Sequence, residues 1–268
     1  MIGFPNAKIN IGLNITAKLP NGYHELKSLM IPTGFCDILE FIPSEKDSLE
    51  LSGIPIPGEK KENLLWKVLS LLREKNDIPP VKIHLHKAIP AGAGLGGGSA
   101  DASFFINLLD DFFGLNLPVE EKEITAAKIG SDCPFFIRNK PAIISGTGTT
   151  MEAFDLDLKN FYLVILFPSF SISTAKAYAK VSPGSEKVSL EKLLIHDINK
   201  WRNSIVNDFE KSLFPEYPAL SDLKDELYSC GASYASLSGS GSAIYGIYNK
   251  KPALSDKLKK VLVYEDWM

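Results

Sequence analysis

The segment from Pro90 to Asp101 carries the residues best suited to chemistry in this chain, because it is almost bare of side chains. It reads Pro-Ala-Gly-Ala-Gly-Leu-Gly-Gly-Gly-Ser-Ala-Asp, directly before a predicted helix. Backbone of this kind can approach a ligand closely and can adopt positive φ angles. Its N–H groups can then converge on one anion, and the helix dipole adds to the attraction. The segment therefore predicts a binding loop for a nucleotide polyphosphate.

Other interpretations of this segment are less compatible with its surroundings. Gly92, Gly94 and Gly97 have the spacing of the dinucleotide fingerprint, but that motif requires a further strand after the helix, with an acidic residue at its end. A charged helical stretch follows here instead. A Walker A loop would require Gly-Lys-Ser/Thr, which is absent. A glycine-rich turn without a ligand remains open, although three adjacent glycines are entropically costly.

Two pairs of residues near the N-terminus could also act on a ligand. Lys8 and Asn10 lie two apart in a predicted strand at residues 6–15, on the face opposite its apolar residues. Taken alone, they are more typical of two solvated side chains. Tyr23 and His24 follow a predicted turn and could bind a planar heterocycle by stacking and edge hydrogen bonds. A surface loop with a packed tyrosine is the other interpretation.

Two later segments are ambiguous when each is taken by itself. Asp132 lies between Gly130 and Pro134, with two phenylalanines behind it. A carboxylate held in this way suits a base aimed at a substrate hydroxyl, but a helix N-cap or a turn is an equally compatible role. Residues 238–242, Ser-Gly-Ser-Gly-Ser, form either a hairpin turn or a second glycine-rich binding loop.

The elements that position these residues follow from hydrophobic periodicity. Residues 81–87 alternate between apolar and polar, which predicts a strand. Apolar residues at helical spacing from 102 to 112 predict a helix that starts around Ser99 and Asp101 and ends at Gly114. The nucleotide loop therefore joins a strand to a helix.

The remaining pattern is that of an α+β protein. A second α+β domain is expected to begin near residues 150–160. Further strands are predicted at residues 28–41, with Asp37 near the centre, and at 141–151, 161–167, 233–237 and 242–248, with hairpin edges and loops at 42–61. Further helices are predicted at 62–75, 119–129, 173–180, 189–195, 198–209, 220–229 and 254–261.

Composition excludes several classes of protein. The 268 residues, 45% hydrophobic and 23% charged, suit a globular protein of one large domain or two ordinary ones. A formal net charge of −3 gives no basic footprint for nucleic acid, and no apolar run is long enough to span a membrane. Three scattered cysteines form neither a disulfide framework nor a zinc pattern. Without a visible signal peptide, the sequence predicts a cytoplasmic location.

The order of these motifs along the chain, from Ala7 to about Tyr248, resembles that of the GHMP small-molecule kinases. The shared motifs are Lys-x-Asn near the N-terminus, Pro-x-x-x-Gly-Leu-Gly-Gly-Gly-Ser, Gly-x-Asp-x-Pro-Phe-Phe and a late Ser-Gly-Ser-Gly. The additional Gly-Tyr-His-Glu at residues 22–25 narrows the resemblance. With this motif, the sequence is similar to the family members that phosphorylate a cytidine-diphosphate-linked methylerythritol in the non-mevalonate isoprenoid pathway.

This resemblance implies a two-domain α+β fold. Residues 1–152 would form an ATP-binding, catalytic domain like the second domain of ribosomal protein S5. Residues 153–268 would form a ferredoxin-like domain that contributes to the substrate cleft. The implied reaction is ATP-dependent transfer of a phosphoryl group to the 2-hydroxyl of the substrate, with Mg²⁺ as a cofactor. The implied partner is this small molecule rather than nucleic acid or membrane, and the protein would be a monomer or homodimer.

The resemblance also implies roles for matching positions. Lys8 and Asp132 match the catalytic pair, and Asn10 matches a residue on the acceptor side of the site. Residues that match or lie near the cytosine-binding positions are Tyr23, His24, Thr174 and Tyr178. Asn63 and Lys87 are expected on the adenine side. The ATP loop corresponds to Pro90, Ala91, Gly92, Ala93, Gly94, Leu95, Gly96, Gly97, Gly98, Ser99 and Ala100.

Some positions depart from the family pattern. Alanine stands at Ala91 and Ala93, where glycine or a larger residue is often found, and at Ala100, where a second serine is frequent. None of these changes removes a charged catalytic group, and no protein ligand is assigned to the metal. A homoserine or mevalonate kinase is the alternative within the family. A non-catalytic binding protein with this fold is the alternative outside it.

Overall fold

The computed structural model describes residues 1–20, 22–181, 183 and 189–268, so Asn21 of the predicted turn lies outside it. Its strands are β1 (Ile2–Gly3), β2 (Asn6–Lys18), β3 (His24–Cys36), β4 (Ile38–Pro43), β5 (Ser48–Gly53), β6 (Val81–Lys87), β7 (Ala142–Gly146), β8 (Thr150–Ala153), β9 (Tyr162–Leu166), β10 (Tyr234–Leu237), β11 (Ile244–Tyr248) and β12 (Leu262–Trp267). Its α-helices are α1 (Leu64–Arg73), α2 (Gly97–Phe113), α3 (Val119–Ala127), α4 (Cys133–Arg138), α5 (Thr174–Lys180), α6 (Leu190–Leu194), α7 (Asp208–Leu213), α8 (Pro218–Ser229) and α9 (Asp256–Lys259). Short 3₁₀ helices occupy Lys60–Glu62 and Ile198–Asn203.

The chain forms two compact units, and each unit is assembled from three segments. The first contains residues 1–7, 32–91 and 96–140, and the second contains residues 8–31, 92–95 and 141–268. Strands β2 and β3 each contribute residues to both units. The contiguous division at residue 152 stays a prediction about the family's domains.

The first unit is built on a four-stranded sheet in the order β1-β4-β6-β5. Strand β4 pairs antiparallel with β1 and β6, and β5 runs parallel to β6. Alternate residues of β6 are buried, as its apolar–polar pattern predicts. They join side chains from α1 and α2 in one core that includes Phe41, Leu69, Leu85 and Phe105.

The second unit contains two four-stranded sheets, in the orders β10-β11-β9-β12 and β2-β3-β7-β8. All five residues of β9 are buried, which confirms the predicted buried strand. The core of this unit joins residues that are distant in sequence, including Ile15, Leu166, Phe209 and Leu237. No helix within the described ranges is long and apolar enough to cross a membrane.

Four predicted elements differ from the observed ones. The strand at 28–41 is interrupted at Asp37, whose Oδ1 accepts hydrogen bonds from the N–H groups of Ala88 and Ile89. The region 42–61 contains β5, which pairs parallel with β6 rather than in a hairpin. The helix at 198–209 is a 3₁₀ helix followed by α7, and the segment at 254–261 contains only the short α9 before the unpredicted β12.

Candidate active site

The glycine loop adopts the backbone conformation that its composition allows. The φ angle is +67° at Gly92, +78° at Gly94 and +73° at Gly96, whereas Ala93 and Leu95 are not in the positive-φ region. This alternation directs successive N–H groups toward one side of the chain, as in anion-binding nests. The loop therefore presents a row of donors immediately before α2.

Helix α2 begins earlier than the sequence predicted. Its N-cap is Gly96, which has no side chain to form a cap, and Gly97 and Gly98 are already helical. Ser99 and Asp101 therefore lie inside the first turns of the helix and are not its start. Because no side chain caps this end, its N–H groups remain suited to an external anion.

The carbonyl groups of the loop are occupied, while its N–H groups are not. The oxygen of Gly94 accepts from Lys8 Nζ and Ser238 Oγ, both at 2.9 Å, and Leu95 O accepts from the N–H of Lys8 at 2.9 Å. Ala93 O accepts from the N–H of Ala243 at 3.0 Å. Among the hydrogen bonds of the described residues, none is donated by a backbone N–H between residues 91 and 99. The loop is thus fixed through its acceptors, and its donors remain for a ligand.

Steric requirements explain Gly94 but not Gly98. A Cβ atom at Gly94 would lie 2.0 Å from the carbonyl oxygen of Ser238, so no other residue fits this approach. A Cβ atom at Gly98 would meet only Leu64 Cδ1, at 3.8 Å. The space beside Gly98 is open, which fits a group lying over the helix N-terminus.

Lys8 and Asn10 are both buried, so their interpretation as solvated side chains is wrong. Their exposed fractions are 3% and 1%. Lys8 Nζ donates to Asn10 Oδ1 at 2.5 Å, in addition to its bond with Gly94 O. The structure therefore brings these two predicted residues together and holds a cation against the glycine loop.

The second glycine-rich segment is the connection of the β10–β11 hairpin, and it also packs onto this cation. A Cβ atom at Gly239 would lie 3.3 Å from Lys8 Nζ and 3.2 Å from Gly94 O. The side-chain amide of Asn207 donates to the carbonyl oxygens of Leu237 and Gly239, at 2.9 and 2.8 Å. Sequence reasoning missed Asn207, because its partners lie 30 residues or more further along the chain.

Asp132 immediately precedes α4 and is half-buried. It stands at the N-cap position, but its carboxylate forms no side-chain cap hydrogen bond there. A purely capping role is therefore not supported. Asp132 and Lys8 belong to different compact units, and their pairing stays a prediction.

The predicted heterocycle-binding residues come partly together. The rings of His24 and Tyr178 lie 5.1 Å apart between centroids, tilted by 33°. Tyr178 is supported from another side by Phe209, at 4.9 Å in an edge arrangement. Tyr23 is 65% exposed. Thr174 Oγ1 lies 3.3 Å from the hydroxyl oxygen of Ser240.

The two residues expected on the adenine side have structural contacts. Asn63 caps α1, with its Oδ1 accepting from the N–H of Leu65 at 3.0 Å. Lys87 is buried and donates to Asp37 and to Asp101 Oδ2, the latter at 2.7 Å. Burial alone lowers the pKa of Lys87, but the two carboxylates outweigh it and raise that pKa above its ordinary value. Whether either residue contacts a nucleotide stays a prediction.

Asp101 completes this buried triad. Burial raises its pKa to about 7, against the opposing effect of the Lys87 charge. Within the described ranges, its Oδ1 is buried and has no hydrogen-bond partner. The triad ties the end of β6 and the two residues after it to the first turns of α2.

No group of three or more His, Cys, Asp or Glu residues in the described part of the chain could hold a metal ion. Mg²⁺ commonly retains waters and is bound through substrate phosphates with one or two carboxylates. A Mg²⁺ ion bound in this way would not require such a cluster.

Comparison with known sequences agrees with this site. The model for the GHMP kinases N terminal domain matches residues 63–140, and that for the GHMP kinases C terminal matches residues 189–263. Curated kinases match most of the chain at well over 30% identity. The chain therefore belongs to the GHMP kinase family, whose members are ATP-dependent small-molecule kinases.

These similar relatives share one name, 4-diphosphocytidyl-2-C-methyl-D-erythritol kinase. The protein from Parabacteroides distasonis is 46% identical over 93% of this chain and 92% of its own length. That from Bacteroides fragilis is 45% identical over 95% and 94%, respectively. A crystal structure of 4-(cytidine 5'-diphospho)-2C-methyl-D-erythritol kinase matches with a TM-score of 0.80 and 29% identity, covering 92% of this chain and 90% of that one.

Other solved structures share the fold alone. A homoserine kinase from Cytophaga hutchinsonii has 16% identity and a TM-score of 0.60, covering 95% of this chain and 87% of that one. The mevalonate kinase of Methanococcus jannaschii has 14% identity and a TM-score of 0.68, covering 97% and 92%. These matches bear out the predicted two-domain GHMP kinase fold.

Proposed function

We propose that this protein transfers the γ-phosphoryl group of ATP to the 2-hydroxyl of 4-diphosphocytidyl-2-C-methyl-D-erythritol, in the non-mevalonate isoprenoid pathway. The identity of its relatives, over almost the full length of both chains, supports this substrate. The small molecule is its partner. A cytoplasmic location, the absence of a nucleic-acid partner and a monomeric or homodimeric state remain parts of the proposal.

The observation that carries the chemistry is the buried Lys8 ammonium fixed against Gly94 of the glycine loop. Phosphoryl transfer requires little covalent work from a protein. It requires positioning of two anionic reactants and neutralisation of the charge that develops between them. A cation fixed beside a row of unoccupied N–H groups meets both requirements.

The loop from Pro90 to Ala100 would bind the ATP phosphates through its N–H groups and the N-terminus of α2. Mg²⁺ bound together with the nucleotide would offset part of the phosphate charge, and no protein ligand is assigned to it. Asn63 and Lys87 are proposed to lie near the adenine. For Lys87 this role would be indirect, since Asp37 and Asp101 already occupy its ammonium group.

Asp132 would accept the proton of the substrate hydroxyl as that oxygen forms a bond to the γ-phosphorus and the bond from this phosphorus to the oxygen of the leaving ADP breaks. Lys8 would stabilise the negative charge that grows on the attacking oxygen, and Asn10 would lie on the acceptor side of the site. A variant of this mechanism is that Asp132 only orients the hydroxyl, since a loose transition state makes little demand on a base.

The aromatic residues of the second unit would recognise the cytosine ring. Tyr23 and Tyr178 would stack on its faces, and His24 would form hydrogen bonds with its edge, with Thr174 nearby. The short distance between the rings of His24 and Tyr178 favours this substrate over homoserine or mevalonate, which have no ring to stack.

A direct assay tests the proposal. The purified chain is incubated with ATP, Mg²⁺ and the cytidine-diphosphate substrate, and the phosphorylated product is sought by mass spectrometry. Parallel reactions contain homoserine, mevalonate or methylerythritol without its cytidine group. Product is expected only with the complete substrate. Preferential turnover of homoserine or mevalonate would assign the chain to another branch of the family, and absence of ATP turnover would favour a non-catalytic binding protein.

Substitution of Asp132 by Asn tests its role in the same assay. Loss of the acceptor for the hydroxyl proton is expected to lower kcat by at least ~100-fold, the scale of general-base loss. Asp111→Asn, at an exposed position of α2, is the matched control and should retain full activity. Near-normal turnover by a folded Asp132→Asn protein would reject the base and leave the orienting role.

A further inference from the structure

Ser28 lies in β3 and is fully buried, with 0% of its surface exposed. Its hydroxyl donates to the carbonyl oxygen of Gly12 at 2.6 Å and accepts from Asn10 Nδ2 at 2.8 Å. Neither the sequence motifs nor the proposed mechanism uses this residue. Its hydroxyl is nevertheless two hydrogen bonds from the Lys8 ammonium, through the amide of Asn10.

These contacts form a series of hydrogen bonds from Lys8 Nζ through Asn10 and Ser28 to Gly12 O. The groups at its two ends determine the direction of each hydrogen bond. The Gly12 carbonyl can only accept, so it takes the one hydrogen of the Ser28 hydroxyl. Ser28 Oγ can then only accept, which requires the NH₂ group of Asn10 to face it. The Asn10 carbonyl oxygen must therefore face Lys8, whose ammonium can only donate.

Without the hydroxyl, the Asn10 NH₂ group would lose its acceptor, and among these contacts the amide would be held only from the Lys8 side. A buried donor left without an acceptor is costly, so the amide would tilt toward another acceptor and its oxygen would move with it. The bond between Lys8 Nζ and Asn10 Oδ1 would then lengthen or break, while the bond from Lys8 to Gly94 O could remain.

The backbone that carries the contacts of Ser28, at Gly12 and at Asn10, is itself held in place. Gly12 has a φ angle of +65°, and a Cβ atom there would lie 2.9 Å from Ile205 Cγ2. The hydroxyl of Tyr245 donates to the backbone oxygen of Asn10 at 2.7 Å, inside the core. Both ends of the Ser28 contact are thus anchored, so the hydroxyl acts between rigid points.

We propose that Ser28 is a positioning residue for phosphoryl transfer, whose hydroxyl sets the orientation of the Asn10 amide and thereby aims the Lys8 ammonium at the reacting oxygen. This inference rests on the proposed function, because it assumes that Lys8 acts on the reactants. It adds to that function a residue that touches neither substrate.

Steady-state kinetics of Ser28→Ala provide the first test. The value of kcat is expected to fall by about 10- to 100-fold, the scale of a lost buried hydrogen bond, with the KM for ATP unchanged. Ser28→Thr retains the hydroxyl and should keep most of the activity. Ser236→Ala is the matched control, since Ser236 is a buried serine of the same unit whose hydroxyl donates to Glu210 at 3.0 Å. This control should lose stability without losing kcat.

A double-mutant cycle tests whether the effect passes through Asn10. Once Asn10 is alanine, no amide remains to be oriented, so adding Ser28→Ala should leave kcat as it is in the Asn10→Ala protein. Equal losses from Ser28→Ala with and without Asn10 would overturn the proposal, as would normal kcat in a folded Ser28→Ala protein.

A measurement without substrate separates this inference from the proposed function. The side-chain ¹⁵N–H signal of Lys8, assigned through Lys8→Arg in ¹⁵N-lysine-labelled protein, should exchange slowly with water because its hydrogens are held. Ser28→Ala should accelerate that exchange, and Ser236→Ala should not. If wild-type protein transfers no phosphoryl group, the proposed function fails while this signal still decides the role of Ser28. An unchanged Lys8 signal in Ser28→Ala overturns the positioning role.

Discussion

Lys8 illustrates how a charge can be kept inside this protein. An ammonium group transferred into the interior loses its hydration, which is costly unless directional partners replace it. The oxygens of Asn10 and Gly94 provide such partners, and hydrogen bonds to charged groups contribute about 1.5–3 kcal/mol each. These hydrogen bonds offset the cost of burial and fix the direction of the ammonium group. Electrostatic catalysis requires a charge that is fixed in this way.

Tyr23 presents the opposite case, a large aromatic side chain left 65% exposed. If it stacks on cytosine, Tyr23→Ala should weaken substrate binding by about 1–3 kcal/mol, the scale of base stacking, while the KM for ATP and the thermal stability remain unchanged. Calorimetric titration with the substrate measures this directly. Phe4→Ala removes another aromatic residue, 55% exposed, and is the matched control. Unchanged substrate affinity in Tyr23→Ala would eliminate the stacking role.

Few site residues were predictable from their own type and place. Taken alone, Lys8 and Asn10 were more typical of solvated side chains, and Tyr23 of a packed tyrosine in a surface loop. The order of the motifs along the chain, through its resemblance to the family, assigned them to the site. Ser28 gave no such signal, because a serine in a strand is common, and its partner Gly12 lies 16 residues away. Only the three-dimensional structure shows that its hydroxyl accepts a hydrogen bond from the side-chain amide of Asn10.

The order of strand, glycine loop and helix was predictable because each of these elements has a local signal. The alternation in β6 and the stripe in α2 are set by residues near in sequence. The break between β3 and β4 was not predictable, since it depends on Asp37 accepting hydrogen bonds from residues 51 and 52 positions away. The start of α2 was misplaced because a glycine, rather than a side-chain cap, begins it.

The buried triad of Asp37, Lys87 and Asp101 makes the stability of the first unit dependent on pH. Because burial raises the pKa of Asp101 to about 7, the folded state holds a proton that the unfolded chain has already released between about pH 4 and pH 7. The free energy of unfolding should therefore fall as pH rises through this window, by up to about 1.4 kcal/mol per pH unit from this group. Asp101→Asn removes the ionisation and this part of the slope.

Urea unfolding of both proteins at several pH values measures the effect. Wild type is expected to lose stability relative to Asp101→Asn as pH rises from about 4 to about 7, which isolates this carboxyl from all others. Asp111→Asn, on an exposed position of the same helix, controls for the change in helix charge. If the free energies of unfolding of wild type and Asp101→Asn differ by a constant amount over this range, Asp101 has the same pKa in the folded and unfolded states.

At the scale of the whole molecule, each compact unit draws on three separate segments. The second unit needs residues 8–31 from the start of the chain as well as its last 128 residues, 141–268. Sequence periodicity assigns elements along the chain but does not show which distant segments share a core. The division at residue 152 therefore stays a prediction beside the two units that packing defines.

This interleaving predicts the behaviour of a fragment containing only residues 153–268. The core of the second unit includes Leu13 and Ile15 from β2, and the backbone N–H of Ile15 donates to Asp208 Oδ2 at 2.7 Å. A fragment without β2 would expose the apolar residues that these side chains cover, at about 25 cal/mol per Å² of apolar surface. It should show no cooperative unfolding and no near-ultraviolet circular dichroism. A chain that joins residues 8–31 to 141–268 through a Gly/Ser linker should recover both signals, because it restores Leu13 and Ile15 to their partners. Cooperative unfolding of the fragment alone would show instead that β2 is dispensable to the core of this unit.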